Sequence, residues 1–215
     1  MPDSTEKALA AALSDSTCFG QIAIRKSAGG FILCHRDDAG RDNLGKLREL
    51  EEATEIARWD DTGNYRPLKT APNLRHGWSL EVVDLGELRH ALDYFYPGRL
   101  AVLVRWKKGL LTTTPLRETL NRQSGMYRVA AKISDEQIED LVGNFCRSNG
   151  GCLRTILWKR DNRGTIPSKK LPPEKFEPSH DQTGRGETAF PLLCQEPCNL
   201  LVAACRNVVK GEADE

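Results

Sequence analysis

The stretches CRSNGGC at residues 146–152 and CQEPC at residues 194–198 each begin and end in cysteine. Five residues separate the cysteines of the first pair, three separate those of the second, and 41 residues lie between the pairs. The chain has seven cysteines, an odd number, and clustered cysteines in a cytoplasmic chain are more typical of metal or redox chemistry than of disulfides. We therefore expect the two pairs to meet and to organise the C-terminal part of the fold.

Four thiolates are the ligands that a 4Fe-4S cluster needs, one for each iron, so Cys146, Cys152, Cys194 and Cys198 are the predicted ligands. The glycines of the first stretch allow close backbone approach, and a helix predicted at residues 199–209 would offer free amides to an anionic cluster. Zinc also accepts four thiolates, but its structural sites typically use shorter intervals within each pair. Zinc, or no metal, remains the alternative.

The rest of the sequence predicts an α+β fold, with a small mixed N-terminal module at residues 1–97 and a C-terminal iron-sulfur module at residues 98–215. Apolar periodicity, turn residues and capping sequences predict the following elements. Helices are expected at residues 5–13, 43–59, 85–94, 115–123, 134–145 and 199–209, and strands at residues 19–25, 31–34, 78–83, 100–106 and 153–159.

Composition argues against two classes of partner. Lysine and arginine exceed aspartate and glutamate by one, so a polyanion such as nucleic acid is not expected to bind. The longest apolar stretches, such as residues 100–106 and 200–204, are well short of the roughly 20 residues that cross a bilayer. The N-terminus opens with Asp3 and Glu6 and shows no recognisable export signal. We expect a cytoplasmic protein that does not insert into membranes.

Two family resemblances add to this interpretation. The cysteine spacing is similar to the cluster motif of siroheme-dependent sulfite and nitrite reductases, although the chain is far too short to be such an enzyme. YRPLKTAPNL at residues 65–74, Gly77-Trp78, Tyr96-Pro97 and TLNRQSGMYR at residues 119–128, followed by the cysteine pairs, resemble a region of certain bacterial cobaltochelatase-like (sirohydrochlorin chelatase-like) proteins. In that family the region follows the catalytic part and comprises a stabilising domain and a 4Fe-4S domain. The resemblance implies the same four cysteine ligands.

The catalytic motifs of the chelatases are not visible in these 215 residues. The family resemblance implies a histidine-glycine-serine motif and further metal-holding histidines, whereas His35, His76, His90 and His180 are scattered along the sequence. Whether the chain is an enzyme is uncertain, and on its own it is more consistent with an accessory role. We expect it to serve a chelatase or a redox partner protein, as an electron-transfer or redox accessory protein linked to tetrapyrrole and metal-insertion metabolism.

Two other functions remain open: a purely structural cluster in a partner-binding module, and a tetrapyrrole-binding enzyme. Arg122, Arg128 and Lys69 are candidate contacts for an anion or a tetrapyrrole, because guanidinium and ammonium groups bind carboxylates. The alternative is that these residues belong to a solvated helix face or to surface salt bridges. Cys205 is either a spare ligand or a buried apolar residue near the cluster, and we expect the second.

Overall fold

The computed structural model describes residues 4–13, 16–66, 74–147, 154–156, 158–161, 164–167, 188–190 and 192–211. The helices are α1 (Ser4–Ala12), α2 (Glu52–Arg58), α3 (Leu85–Phe95), α4 (Arg99–Lys107), α5 (Leu116–Asn121), α6 (Asp135–Arg147) and α7 (Asn199–Gly211). The strands are β1 (Ser16–Phe19), β2 (Ile22–Ser27), β3 (Gly30–His35), β4 (Gly45–Leu47), β5 (Trp78–Val82), β6 (Arg154–Ile156), β7 (Trp158–Asp161), β8 (Gly164–Pro167), β9 (Thr188–Phe190) and β10 (Leu192–Cys194). Two 3-10 segments, Arg36–Asp38 and Gly125–Lys132, complete the described elements. The predicted α+β class is confirmed.

A six-stranded mixed sheet forms the N-terminal half, in the order β4-β5-β3-β2-β1-β9. Strands β1, β2, β3 and β5 pair antiparallel, whereas β4 and β9 pair parallel to their neighbours at the two edges. The strands predicted at residues 19–25 and 31–34 correspond largely to β2 and β3, which pair antiparallel around the turn at Ala28-Gly29. The edge strand β9 comes from the C-terminal part of the chain, so the two halves share one sheet.

The main core lies between one face of this sheet and the first four helices. Ile22, Leu33 and Leu80 of the sheet are buried against Leu88 and Leu92 of α3. Leu192 and Leu193 of β10 belong to the same core. No helix in the described part of the chain combines the length and hydropathy needed to cross a membrane.

The strand predicted at residues 100–106 is wrong, because this segment is helix α4. A short continuous apolar run fits a buried helix as well as a buried strand, and periodicity alone does not separate the two. Gly98 precedes the helix in the left-handed conformation (φ 68°), where glycine carries no steric penalty. The helix buries Leu100 and Leu103 in the main core. The apolar run therefore fills a helix layer instead of extending the sheet.

The single helix predicted at residues 43–59 is partly wrong. Its second half forms α2, but its first half contains β4, which pairs with β5. The Glu52 carboxylate accepts the backbone N–H groups of Arg48 (2.5 Å) and Glu49 (3.0 Å), which fixes the turn between strand and helix. Leu44 and Leu47 fit helical spacing in the sequence, but pairing with the sheet edge overrides local propensity here.

A second, smaller core holds the C-terminal half together. Leu116 and Leu120 of α5, Ile138 of α6, and Leu201 and Cys205 of α7 are buried in it. Helix α6 contacts α7, and the 3-10 segment after α5 also packs on α7. The two helices that carry or adjoin predicted cysteine ligands are therefore neighbours in this core.

The start of α6 contains the reciprocal capping arrangement that the sequence predicts. The Gln137 N–H donates to Ser134 Oγ (3.2 Å), and the Ser134 N–H donates to Gln137 Oε1 (2.8 Å). We expect Ser134→Ala to lower the free energy of unfolding by about 1 kcal/mol, the usual cost of losing such a cap. Ser134→Asp should keep most of that stability, because aspartate also caps helices. Guanidinium denaturation followed by circular dichroism checks this, and equal losses in both variants would refute the role of the cap.

Candidate metal centre

Cys194 lies at the end of a short strand that is anchored on both sides. Strand β10 pairs parallel with β6, which places Cys194 beside Ile156. Cys194 is buried, and the two residues before it lie in the main core. The position of Cys194, a predicted ligand, is thus fixed by apolar packing as well as by strand pairing.

Cys198 occupies the position immediately before α7, where the sequence predicts a helix to begin. Its Sγ accepts the backbone N–H of Leu201 at 3.5 Å. The first amides of a helix have no partner inside the helix, and they carry the positive end of its dipole. A thiolate, or an anionic cluster bound through it, is therefore stabilised at this site. Cys198 is also only half-buried, so this position is open to solvent on one side.

The other two predicted ligands are placed less completely. Cys146 is in the last turn of α6, a helix that contacts both α7 and β6. Cys152 lies outside the described residues. Cys194 and Cys198 are thus four residues apart, and the helix that carries Cys146 contacts α7, which follows Cys198, and β6, the partner strand of β10. Soft sulfur donors beside a helix N-terminus fit an iron-sulfur cluster.

Cys205 of α7 lies in the smaller core and is fully buried. Burial raises the pKa of its thiol to about 11, and the neighbouring Cys198 adds to the rise. A protonated thiol is a poor metal ligand. Its position agrees with the expected apolar role. Cys18 and Cys34 are likewise buried, in a small cluster with Ala23 on the sheet.

Two of the three candidate anion contacts, Arg122 and Arg128, lie in the described C-terminal half. Arg122 forms an ion pair with Glu118 on α5, and Arg128 is exposed. Lys69 lies outside the described residues. Nearby Arg117 has a structural role, because it donates to the backbone oxygens of Ala131 and Ile133 (both 3.2 Å) and to the carboxylate of Asp135 at the start of α6. The assignment of Arg122, Arg128 and Lys69 as ligand contacts stays a prediction.

The structure also brings together a group of metal-ligating side chains that the sequence did not predict. His35, Asp38 and His76 come together at one end of the sheet, although they are scattered in the sequence. The antiparallel register of β3 and β5, with Cys34 opposite Ser79, brings the end of β3 beside the turn before β5. No local pattern in the sequence signals this register, because it is set by long-range strand pairing. Burial, reinforced by His76, lowers the pKa of His35 to about 4, against the opposing effect of the Asp37 and Asp38 carboxylates.

Comparison with known families and structures divides the chain in two. Residues 5–108 match the family model of the DR2241 stabilising domain, and residues 108–207 match that of a 4Fe-4S iron-sulfur cluster binding domain. The predicted resemblance and the predicted cofactor are confirmed by these matches. No curated protein matches significantly.

Among solved structures, the chain is similar to DR2241 from Deinococcus radiodurans. That protein is described as a multi-domain protein with structural similarity to chelatases and with two additional novel domains. The sequences are 26% identical, the TM-score is 0.73, and the match covers 97% of this chain and 42% of DR2241. The chain thus spans about two fifths of the length of that protein.

Proposed function

We propose that this chain, which joins a DR2241 stabilising domain to a 4Fe-4S iron-sulfur cluster binding domain, is a redox accessory protein that transfers electrons in service of metal insertion into a tetrapyrrole. Cys146, Cys152, Cys194 and Cys198 hold the cluster, which when bound supplies one-electron redox chemistry. Its partner is a chelatase or a redox protein. The likeness to DR2241, itself described as similar to chelatases, supports this link.

The position of Cys198 carries the proposal of electron transfer. Because Cys198 is half-buried at a helix N-terminus, a cluster bound through it would lie near solvent, where a partner could approach. The Leu201 N–H that points to Cys198 Sγ stabilises the extra negative charge of the reduced cluster, because hydrogen bonds to cluster sulfurs raise the reduction potential. Cys194, in contrast, is buried, and a cluster bound through it would be anchored to the protein interior.

A second candidate function is a purely structural cluster, and one observation favours it. Residues 192–194 form a strand that packs into the main core, while α7 begins five residues after Cys194. A cluster at this point would fasten the smaller core to the main core, and metal binding would contribute directly to folding. An electron-transfer protein needs a cluster that is reduced reversibly and a redox partner, whereas a structural cluster needs neither.

The test is anaerobic purification followed by iron and sulfide analysis, with absorption and electron paramagnetic resonance spectra before and after dithionite. About four irons and four sulfides per chain, with a reduced signal that reappears over repeated cycles, would support electron transfer. A cluster that is not reduced, or that bleaches irreversibly, would instead support the structural role. Zinc in place of iron would contradict both.

A second arm tests the link to metal insertion. The rate at which a sirohydrochlorin chelatase inserts cobalt into sirohydrochlorin is measured with the reduced protein, the oxidised protein and no addition. We expect the reduced and oxidised proteins to affect the rate differently. Equal rates in all three would refute the chelatase as partner while leaving the cluster assignment intact.

A further inference from the structure

A second group of metal-ligating side chains lies in the N-terminal half, away from the predicted cysteine ligands. His35 ends β3, Asp38 ends the following 3-10 turn, and His76 lies in the turn before β5. One candidate ligand atom from each lies within 4.8 Å of the other two. The two imidazole rings are 3.8 Å apart between centroids, and His76 Nδ1 is 3.6 Å from Asp38 Oδ2.

The 3.6 Å between His76 Nδ1 and Asp38 Oδ2 is close to the spacing between two ligand atoms of a bound zinc ion. In a tetrahedral zinc site with bonds of about 2.0–2.1 Å, neighbouring ligand atoms lie about 3.3–3.4 Å apart. His76 is 42% exposed, so its ring has room to rotate toward an ion. His35 and Asp38 are fully buried, so they are fixed in place. The site therefore has two rigid ligands and one adjustable ligand at its mouth.

Asp38 is oriented by the protein for a role at this point. Its Oδ1 accepts from Arg41 Nη1 (2.7 Å), and its Oδ2 accepts the N–H of Gly77 (2.7 Å). Gly77 presents that N–H from a left-handed conformation (φ 81°), which favours glycine. Each carboxylate oxygen has a second lone pair, so Oδ2 can still bind an ion. The same contact fixes the backbone next to His76.

His35 is oriented through both of its ring nitrogens. Nδ1 accepts the N–H of Asp37 (3.1 Å), and Nε2 lies 3.3 Å from the side-chain nitrogen of Gln21. Gln21 is itself held, because its Oε1 accepts the N–H of Leu74 (3.1 Å). A metal-bound imidazole keeps a proton on its other nitrogen and donates it to an acceptor. Both present neighbours are N–H donors, so an ion on one ring nitrogen leaves the proton on the other in need of an oxygen acceptor. Asp37 Oδ2 lies 3.6 Å from Nδ1, and a turned Gln21 amide would offer its oxygen to Nε2.

The charges and donor types select the class of ion. Asp37 and Asp38 are opposed by Arg36 and Arg41, which lie within 3.8 Å and 2.7 Å of their carboxylates. The local field is therefore nearly balanced, and an ion must be held by coordination bonds instead of by net negative charge. Two imidazoles and one carboxylate suit zinc and related first-row ions, whereas calcium and magnesium prefer oxygen ligands.

We propose that His35, Asp38 and His76 bind one divalent first-row metal ion of the zinc class. Three protein ligands leave the fourth position of a tetrahedral ion open, on the solvent side beside His76. The site is separate from the cluster and does not depend on the proposed redox function.

The test is isothermal titration of zinc into the cluster-loaded 215-residue protein under anaerobic conditions. We expect one zinc per chain to bind the wild type. His76→Ala should weaken binding at least tenfold, because even the outer partners of metal ligands contribute about 10- to 100-fold to affinity. His90→Ala, which removes another exposed histidine on α3, should bind zinc as the wild type does. Asp38→Asn, which keeps an acceptor for Gly77, should also weaken binding.

X-ray absorption at the zinc edge identifies the ligands independently of the variants. Nitrogen and oxygen neighbours with imidazole scattering would support the site. Sulfur neighbours would overturn it, because zinc would then be held by cysteines. No zinc binding by the wild type, or equal binding by wild type and His76→Ala, would overturn it as well.

Discussion

Cys194→Ser is expected to lose most of the bound iron and to unfold the C-terminal helix α7, while the N-terminal sheet remains folded. Serine offers a hard oxygen in place of a soft thiolate, so the cluster loses a ligand at a position fixed by strand pairing. Because metal-binding free energy is part of folding free energy in such domains, losing the cluster also removes stability from the smaller core. The N-terminal sheet has its own large core and does not need the cluster.

Iron and sulfide content, and hydrogen exchange of the α7 amides, measure the two parts of this prediction separately. Cys205→Ala is the matched control, because it removes a thiol of the same domain that lies in the apolar core. It should keep its iron. Full iron in Cys194→Ser would show that Cys194 is not a ligand. Lost iron with an unchanged melting transition would refute the structural part alone.

Local signals were sufficient where a single element decided the structure. The capping sequence at Ser134 correctly predicted the start of α6, and alternating residues predicted β5. The helix after Cys198 was also predicted, because apolar spacing and the preceding proline agree. In these segments propensity, pattern and packing all favour the same element.

Long-range pairing was not predictable in the same way. Strand β9 adds to the sheet from more than 160 residues away from β1, with Cys18 opposite Ala189. The register of β3 and β5 likewise creates the histidine pair, and nothing near His35 in the sequence indicates it. Segment 100–106 was misassigned because its apolar content fits a helix layer as well as a strand. Whether such an apolar run forms a helix or a strand depends on which apolar surface of the rest of the fold it buries.

The segment before Cys194 connects the two cores, so its packing should influence the cluster. Leu193 is fully buried in the main core, and its backbone oxygen accepts from Arg99 Nη1 of α4 (3.0 Å). Removing the packing of Leu193 would make β10 more mobile next to Cys194, the predicted cluster ligand. Local opening of a few residues is often enough to expose a metal site, without global unfolding.

Leu193→Ala should therefore release iron to an external chelator faster than the wild type and lower the free energy of unfolding by about 2–5 kcal/mol, the usual cost of emptying a buried leucine site. Leu80→Ala is the matched control: it removes the same atoms from the same core, but from β5, which carries no predicted cluster ligand. If both variants are equally destabilised and only Leu193→Ala releases iron faster, then β10 holds the ligand in place locally. If iron release follows global stability alone in both variants, the anchoring role of β10 is refuted, because any equal loss of stability would then have the same effect.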